Sequence, residues 1–261
     1  MYLLDSHVHT LFSPDASGTV EEHCVKALEN GFSEIIITDH CDVNGWEGRP
    51  YDFRRGEAFS EIEAAREKFE GRLRIGFGAE LGQEQENLYL AAETLVDARL
   101  DFVIGSLHNP AGYMDCFFFA DAAGDMTWLW LKYLEELVLH AEKSDYDVIG
   151  HLTYPLRYIP VKWCAEYDDA LAEVMKTAIS RGKGIELNMS DFLRKNGYTH
   201  PHAEHIKLYR DLGGKYITVG SDSHFPQTVG QSIKDGYDIL KAAGFDRVCA
   251  YRNRQPEFVR I

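Results

Sequence analysis

Residues 3–9, Leu3-Leu4-Asp5-Ser6-His7-Val8-His9, are a short apolar run that ends in two histidines one residue apart, and Thr10 to Asp15 follow as a loop. Side chains alternate along a strand, so His7 and His9 project to the same side, about 6 to 7 Å apart along the backbone, close enough to hold one metal ion. An arbitrary His-x-His pair is more often packed or solvated than ligating. The residues at the ends of the later strand-like runs decide between the two readings.

Those runs are Glu34 to Thr38, Arg74 to Ala79, Phe102 to Gly105, Asp147 to Gly150, Gly184 to Leu187 and Tyr216 to Gly220, with Arg247 to Tyr251 as a possible last strand. Helical periodicity lies near 19–30, 56–70, 86–98, 127–143, 168–182, 201–213 and 231–243, with Gly31, Gly182 and Gly213 as stops. A strand–helix alternation repeated about seven times implies an α/β protein with a parallel sheet, and a closed TIM-like (β/α) barrel is its most economical form. No Pro/Gly/Ser-rich linker divides the chain, so residues 1–261 read as a single domain.

Parallel barrels build their sites at the C-terminal ends of strands. The first strand ends in His7 and His9, with Asp15 in its loop; the second is followed by Asp39-His40, the third by Glu80, the fourth by Ser106-Leu107-His108. The fifth ends at His151 and the seventh in Ser221-Asp222-Ser223-His224, while the sixth leads to Asn188, Asp191, Arg194 and Lys195. Six of the eleven histidines fall at these ends, a placement that scattered surface histidines would not show. His23 and His140 read as packed or solvated helix residues. His200, His202 and His205 read as a helix entry, with Pro201 at the first helical position and Glu204 in the first turn.

Imidazole and carboxylate together suit zinc, manganese or iron. His7, His9, Asp15, His40, Glu80, His108, His151, Asp222 and His224 make nine candidate ligands. One catalytic ion uses about three protein ligands, so the set implies two to three divalent metal ions, with Glu80 as the natural bridge. Such a centre suits hydrolysis of phosphate esters, and Arg157 and Arg194 are candidates to grip phosphate oxygens.

The formal charge of −15 and the absence of a Lys/Arg cluster argue against nucleic acid as a partner. No apolar run is long enough to span a bilayer, and Met1 to Asp5 lacks the basic start of a signal peptide, so no membrane association is expected. Five cysteines without a Cys-x-x-Cys pair suit a reducing cytoplasm. The oligomeric state is left open.

With the stretches HVHTLFSPD (7–15), ITDH (37–40), GAE (78–80), GSLHN (105–109), GHLTYPLRY (150–158), ELNMSDFLRK (186–195) and GSDSH (220–224), the sequence resembles the polymerase and histidinol phosphatase (PHP) family, and within it the histidinol-phosphatase type. The resemblance implies a distorted seven-stranded barrel, a single PHP phosphoesterase domain and a trinuclear centre. By position, His7, His9, Glu80 and Asp222 hold one metal, Glu80, His108 and His151 a second, and Asp15, His40 and His224 a third. Arg157 and Arg194 match residues around the substrate phosphate. The implied reaction, a step of histidine biosynthesis, is hydrolysis of the small-molecule phosphate monoester L-histidinol phosphate by a metal-bridging hydroxide, with Glu80, Asp222 and Asp191 in catalytic positions. Where relatives often read Asn-Thr-Ser-Gly before Leu-Arg-Lys, this chain has Asn188-Met189-Ser190-Asp191-Phe192, which bears on substrate preference. The loops Cys41 to Arg55 and Pro110 to Asp125, with Trp46, Tyr51, Tyr113 and Phe117 to Phe119, are candidate walls or lids. Three rival readings remain: a PHP phosphoesterase for another small ester, an amidohydrolase-like hydrolase, and a non-enzymatic PHP module.

Overall fold

Seven strands run parallel in one sheet whose spatial order follows the sequence: β1 (Leu4–Val8), β2 (Glu34–Ile37), β3 (Arg74–Gly82), β4 (Phe102–Ser106), β5 (Val148–Ile149), β6 (Gly184–Asn188) and β7 (Ile217–Gly220). The computed structural model describes residues 1–45, 54–97, 99–122, 124–195 and 197–261. Between β7 and β1 the ladder is reduced to a bridge of Val8 with Ser223, where His9 N–H donates to Ser223 O at 2.8 Å, so the barrel is nearly closed. Strands covered on both faces need apolar side chains in both directions, which is why Ile35, Ile36 and Ile37 occur as an unbroken buried run.

Helices α1 (Val20–Glu29), α2 (Arg55–Lys68), α3 (Leu88–Leu95), α4 (Thr127–Lys143), α5 (Ala165–Ser180), α6 (Ala203–Asp211) and α7 (Ile233–Ala242) alternate with the strands. Helix α1 starts at a capping box: Thr19 Oγ1 accepts from Glu22 N–H, and the Glu22 carboxylate accepts from Thr19 N–H at 2.8 Å. None of the helices among the described residues is long and apolar enough to cross a membrane. All five cysteines are unpaired.

Three departures from the periodicity have local causes. His7 lies inside β1 and Glu80 inside β3, which continues to Gly82 because its ladder with β4 runs on through Glu80–Ile104 and Leu81–Gly105 to Gly82–Ser106. Pro201 precedes the helix rather than opening it: α6 is capped at His202, while Glu204 does stand in its first turn. His200 exchanges both backbone hydrogen bonds with Asn188, at 3.0 and 3.1 Å, and so pins the two ends of the loop after β6 together.

The eighth strand, β8 (Arg247–Arg252), does not join the barrel sheet. It pairs antiparallel with β9 (Gln255–Arg260), a polar segment containing Pro256 that carries no apolar alternation. The connecting turn places Asn253 (φ 47°) and Arg254 (φ 61°) in the left-handed region, as a tight two-residue hairpin requires. Arg254 bonds Asp145 and Asp147 at 3.0 and 3.1 Å, Arg252 pairs with Glu34, and Asn253 N–H donates to Asp101 at 3.1 Å. Glu34, Asp101 and Asp147 stand at the N-terminal ends of β2, β4 and β5, so the turn is fastened across that end of the barrel, and Tyr251 stacks on Phe102 with ring centroids 4.7 Å apart.

Candidate metal centre and substrate cavity

At the opposite end, the residues that follow or end the strands converge. His7 Nε2 lies 3.0 Å from His9 Nε2, and both face one oxygen of Glu80 at 3.5 Å and one of Asp222 at 3.6 and 3.4 Å. Zinc–ligand bonds of about 2.0–2.1 Å in a tetrahedron give donor separations of about 3.3 Å, and these five edges bracket that value. The fit is chemical as well as metric. His7 Nδ1 is 2.7 Å from Glu186 Oε1, and His9 Nδ1 is 3.1 Å from Ser13 Oγ, whose own hydrogen goes to Asp39 at 2.7 Å. With each Nδ1–H donated away, both Nε2 atoms present lone pairs to one another and need a proton or a cation between them. Burial alone would lower His7, but the charges of Glu186, Glu80 and Asp222 outweigh it and hold its pKa well above the ordinary value. Burial, with His224 and His40 beside it, pushes His9 down to about 3. A metal ion satisfies both lone pairs where a proton serves only one.

The other Glu80 oxygen is 3.3 Å from His108 Nε2 and 2.9 Å from His151 Nε2, and it accepts from Ser106 Oγ at 2.7 Å. His108 is backed by Asp42, Nδ1 to Oδ2 at 2.9 Å. Glu80 therefore faces two groups of imidazoles with its two oxygens. His40 Nδ1 is 2.9 Å from Glu80 Oε2, and its Nε2 is 3.6 Å from Asp15. His224 Nε2 is 3.2 Å from the other Asp15 oxygen. Three sets of donors lie within 4.8 Å of one another: His7, His9 and Asp222; His40, Glu80 and His108; and His9, His40 and His224. All nine residues read from the strand ends are thus neighbours, with His151 held by Glu80 and Asp15 by the two outer histidines.

A cavity of about 570 Å³ opens over this cluster. Arg157 lies on its floor, with Nη2 donating to Ser190 Oγ at 2.8 Å and to Asp222 Oδ2 at 3.2 Å, and its Cζ is 5.0 Å over the Tyr154 ring. Arg194, exposed, lines the same cavity. Asp191 Oδ2 is 3.2 Å from His200 Nε2 and 3.3 Å from Lys195 Nζ. Burial would raise Asp191, but the His200 hydrogen bond and the Arg157 charge bring it down to about 2. Phe117 and Phe118 line the mouth; Trp46 and Tyr51 lie outside the described residues.

Several residues of the site carry no signal at a strand end. Glu186 is inside β6, where only the period-two partnership with Asn188 hints that it faces the barrel interior. Asp42 and Ser13, together with Asp39 that the second strand end did show, stand behind the candidate ligand histidines rather than among them. Asp115, also in the cavity wall, sits in a loop that reads as aromatic.

Comparison with known proteins places the chain in a family and finds its fold in solved structures. A histidinol-phosphatase from Lactococcus lactis subsp. lactis (strain IL1403) is 28% identical over 267 residues, covering 96% of this chain and 95% of its own. A crystal structure of histidinol phosphate phosphatase from L. lactis, complexed with zinc, L-histidinol and phosphate, superposes with a TM-score of 0.85 at 25% identity over 98% of both chains. A Listeria monocytogenes structure shares the fold, with a TM-score of 0.75 at 19% identity over 89% of this chain and 99% of that one. The PHP domain model matches residues 5–190, from the acid that precedes the first histidine to the loop after β6, and the chain belongs to the PHP domain family.

Proposed function

We propose that the protein is a metal-dependent phosphomonoesterase that hydrolyses L-histidinol phosphate to L-histidinol and phosphate. One observation carries the reading: Asp222 turns one oxygen to His7 and His9 and the other to the Arg157 guanidinium at 3.2 Å, so the cation cage and a phosphate-binding cation share a wall. The L. lactis structure with zinc, L-histidinol and phosphate supports the same substrate class.

In this reading His7, His9, Glu80 and Asp222 hold one divalent ion, Glu80, His108 and His151 a second, and Asp15, His40 and His224 a third. Zinc, manganese or iron there supplies positive charge for the phosphoryl oxygens and makes water acidic enough to attack at neutral pH. Arg157 binds a non-bridging phosphate oxygen from the cavity floor, and Arg194 closes on the phosphate from the rim. Ser190 and Asn188, bonded to Arg157, set the direction of its guanidinium. Asp191 is ionised at neutral pH, so it starts without a proton and can take one up or pass it on through His200. Tyr154 and Phe117 narrow the cavity against bulk water.

The test is phosphate release from L-histidinol phosphate against a panel of other monoesters, with zinc-, manganese- or iron-loaded protein and a chelated control. A kcat/KM of ~10⁴ M⁻¹s⁻¹ or more on L-histidinol phosphate, well above the panel, is expected. No preference over the panel moves the substrate to another small ester, and activity that survives chelation ends the metal reading.

A further inference from the structure

Asp115 is the one carboxylate in the cavity wall whose surroundings none of the metal or phosphate roles explains. Its Oδ1 is fully engaged, accepting from Phe117 N–H at 2.8 Å and from Tyr154 Oη at 2.9 Å. Its Oδ2 has no hydrogen-bond partner, and no lysine or arginine pairs with it, among the described residues. Burial pushes the Asp115 carboxyl up, against the opposing charge of His108. Asp115 is half-buried in the cavity wall, so a cation carried by a ligand can reach the oxygen that the loop leaves idle.

The walls around it are aromatic. Tyr154 meets Tyr158 edge-on at 5.3 Å, Tyr158 meets Phe117 edge-on at 5.6 Å, and all three rings line the cavity. Aromatic faces beside a carboxylate favour an organic ammonium over a hydrated metal ion. Tyr154 also sets the spacing: its ring lies under Arg157, and its hydroxyl holds Asp115. The phosphate-binding cation and the idle carboxylate oxygen therefore stand one phenol side chain apart.

We infer that Asp115 is the specificity-determining residue of the site: its Oδ2 binds the primary ammonium of an amino-alcohol phosphate whose phosphate lies on Arg157. This rests on the phosphatase reading for the phosphate end, while the ammonium end can be tested without turnover.

Asp115→Asn keeps an oxygen for Phe117 N–H and Tyr154 and removes only the charge. In the zinc-loaded enzyme the variant should lose at least 30-fold in kcat/KM on L-histidinol phosphate, mostly through KM, and less than threefold on propyl phosphate, which has no amine. An equal loss on both substrates would make Asp115 a structural cap of its loop and overturn the inference. Calorimetric titration of the wild-type protein with L-histidinol and with 3-(imidazol-4-yl)propan-1-ol, which lacks only the amine, needs neither turnover nor a variant. At least tenfold tighter binding of L-histidinol is expected and would stand even if the protein were inert toward phosphate esters; equal affinity, or no binding of either, would overturn the inference.

Discussion

Glu186 joins three parts of the centre through one carboxylate: it faces His7 Nδ1 at 2.7 Å and accepts from His151 N–H at 3.0 Å and Asn188 Nδ2 at 3.2 Å. A carboxylate behind a ligand histidine fixes its tautomer and raises its basicity, and losing one typically costs 10–100-fold in metal affinity. Glu186→Gln should weaken zinc binding by about that factor in a chelator competition while leaving the fold intact; unchanged affinity would show that His7 is oriented by packing alone. Glu84 is a different kind of buried acid. Burial pushes it up to about 7, with the nearby Asp145 charge adding to the effect, and its Oε2 has no partner among the described residues. Between pH 4.5 and 7 the unfolded chain has released this proton and the folded one has not, so stability falls as pH rises through that window, on the order of 3 kcal/mol for this group. Glu84→Gln should therefore stabilise the protein at pH 8 and change little at pH 4, read by urea unfolding at both values; equal effects at the two pH values would mean that Glu84 ionises freely in the folded state.

Strands β1, β3 and β7 show why candidate ligands can be read from sequence and the groups behind them cannot. A histidine or acid at the end of an apolar run breaks the local pattern, so His7, Glu80 and Asp222 announce themselves. Glu186 interrupts a run too, but nothing local distinguishes an acid that orients a ligand from one that is misread strand polarity. His200 is harder still, because its role depends on a pairing with Asn188 across eleven intervening residues. In β7 the deciding residue is Gly220: a Cβ there would lie 2.3 Å from both His7 Cβ and Glu186 Oε1. The missing side chain is what lets β7 and β1 come together behind the cage. Gly220→Ala should cost about 1–3 kcal/mol of stability and release metal, measured as a lower melting temperature and substoichiometric zinc after gel filtration. A variant with full zinc content and an unchanged melt would show that the barrel wall yields without disturbing the ligands.

Across the whole molecule, the seven parallel strands follow from the repeated strand–helix alternation, whereas the C-terminal hairpin does not, because β9 is polar and its docking depends on charges spread from residue 34 to residue 147. At the opposite end Glu80 and Asp222 are buried together beside His7 and His9, so a bound cation should stabilise the entire fold. At a free metal concentration 100 times the dissociation constant the gain is about 2.7 kcal/mol, which in a chain of this size is roughly 5–10 °C of melting temperature. Scanning fluorimetry with and without chelator measures it, and coincident melts would mean that the ligands are held equally well without a metal. The hairpin that spans the far end of the barrel bears on how such a protein can diverge. Its Arg252 and Arg254 contacts belong to no substrate and no ligand, so the two ends can accumulate mutations separately. A lineage that changes Asp115 or Ser190 to accept a new ester can recover the stability it loses by tightening the opposite face, without revisiting the chemistry.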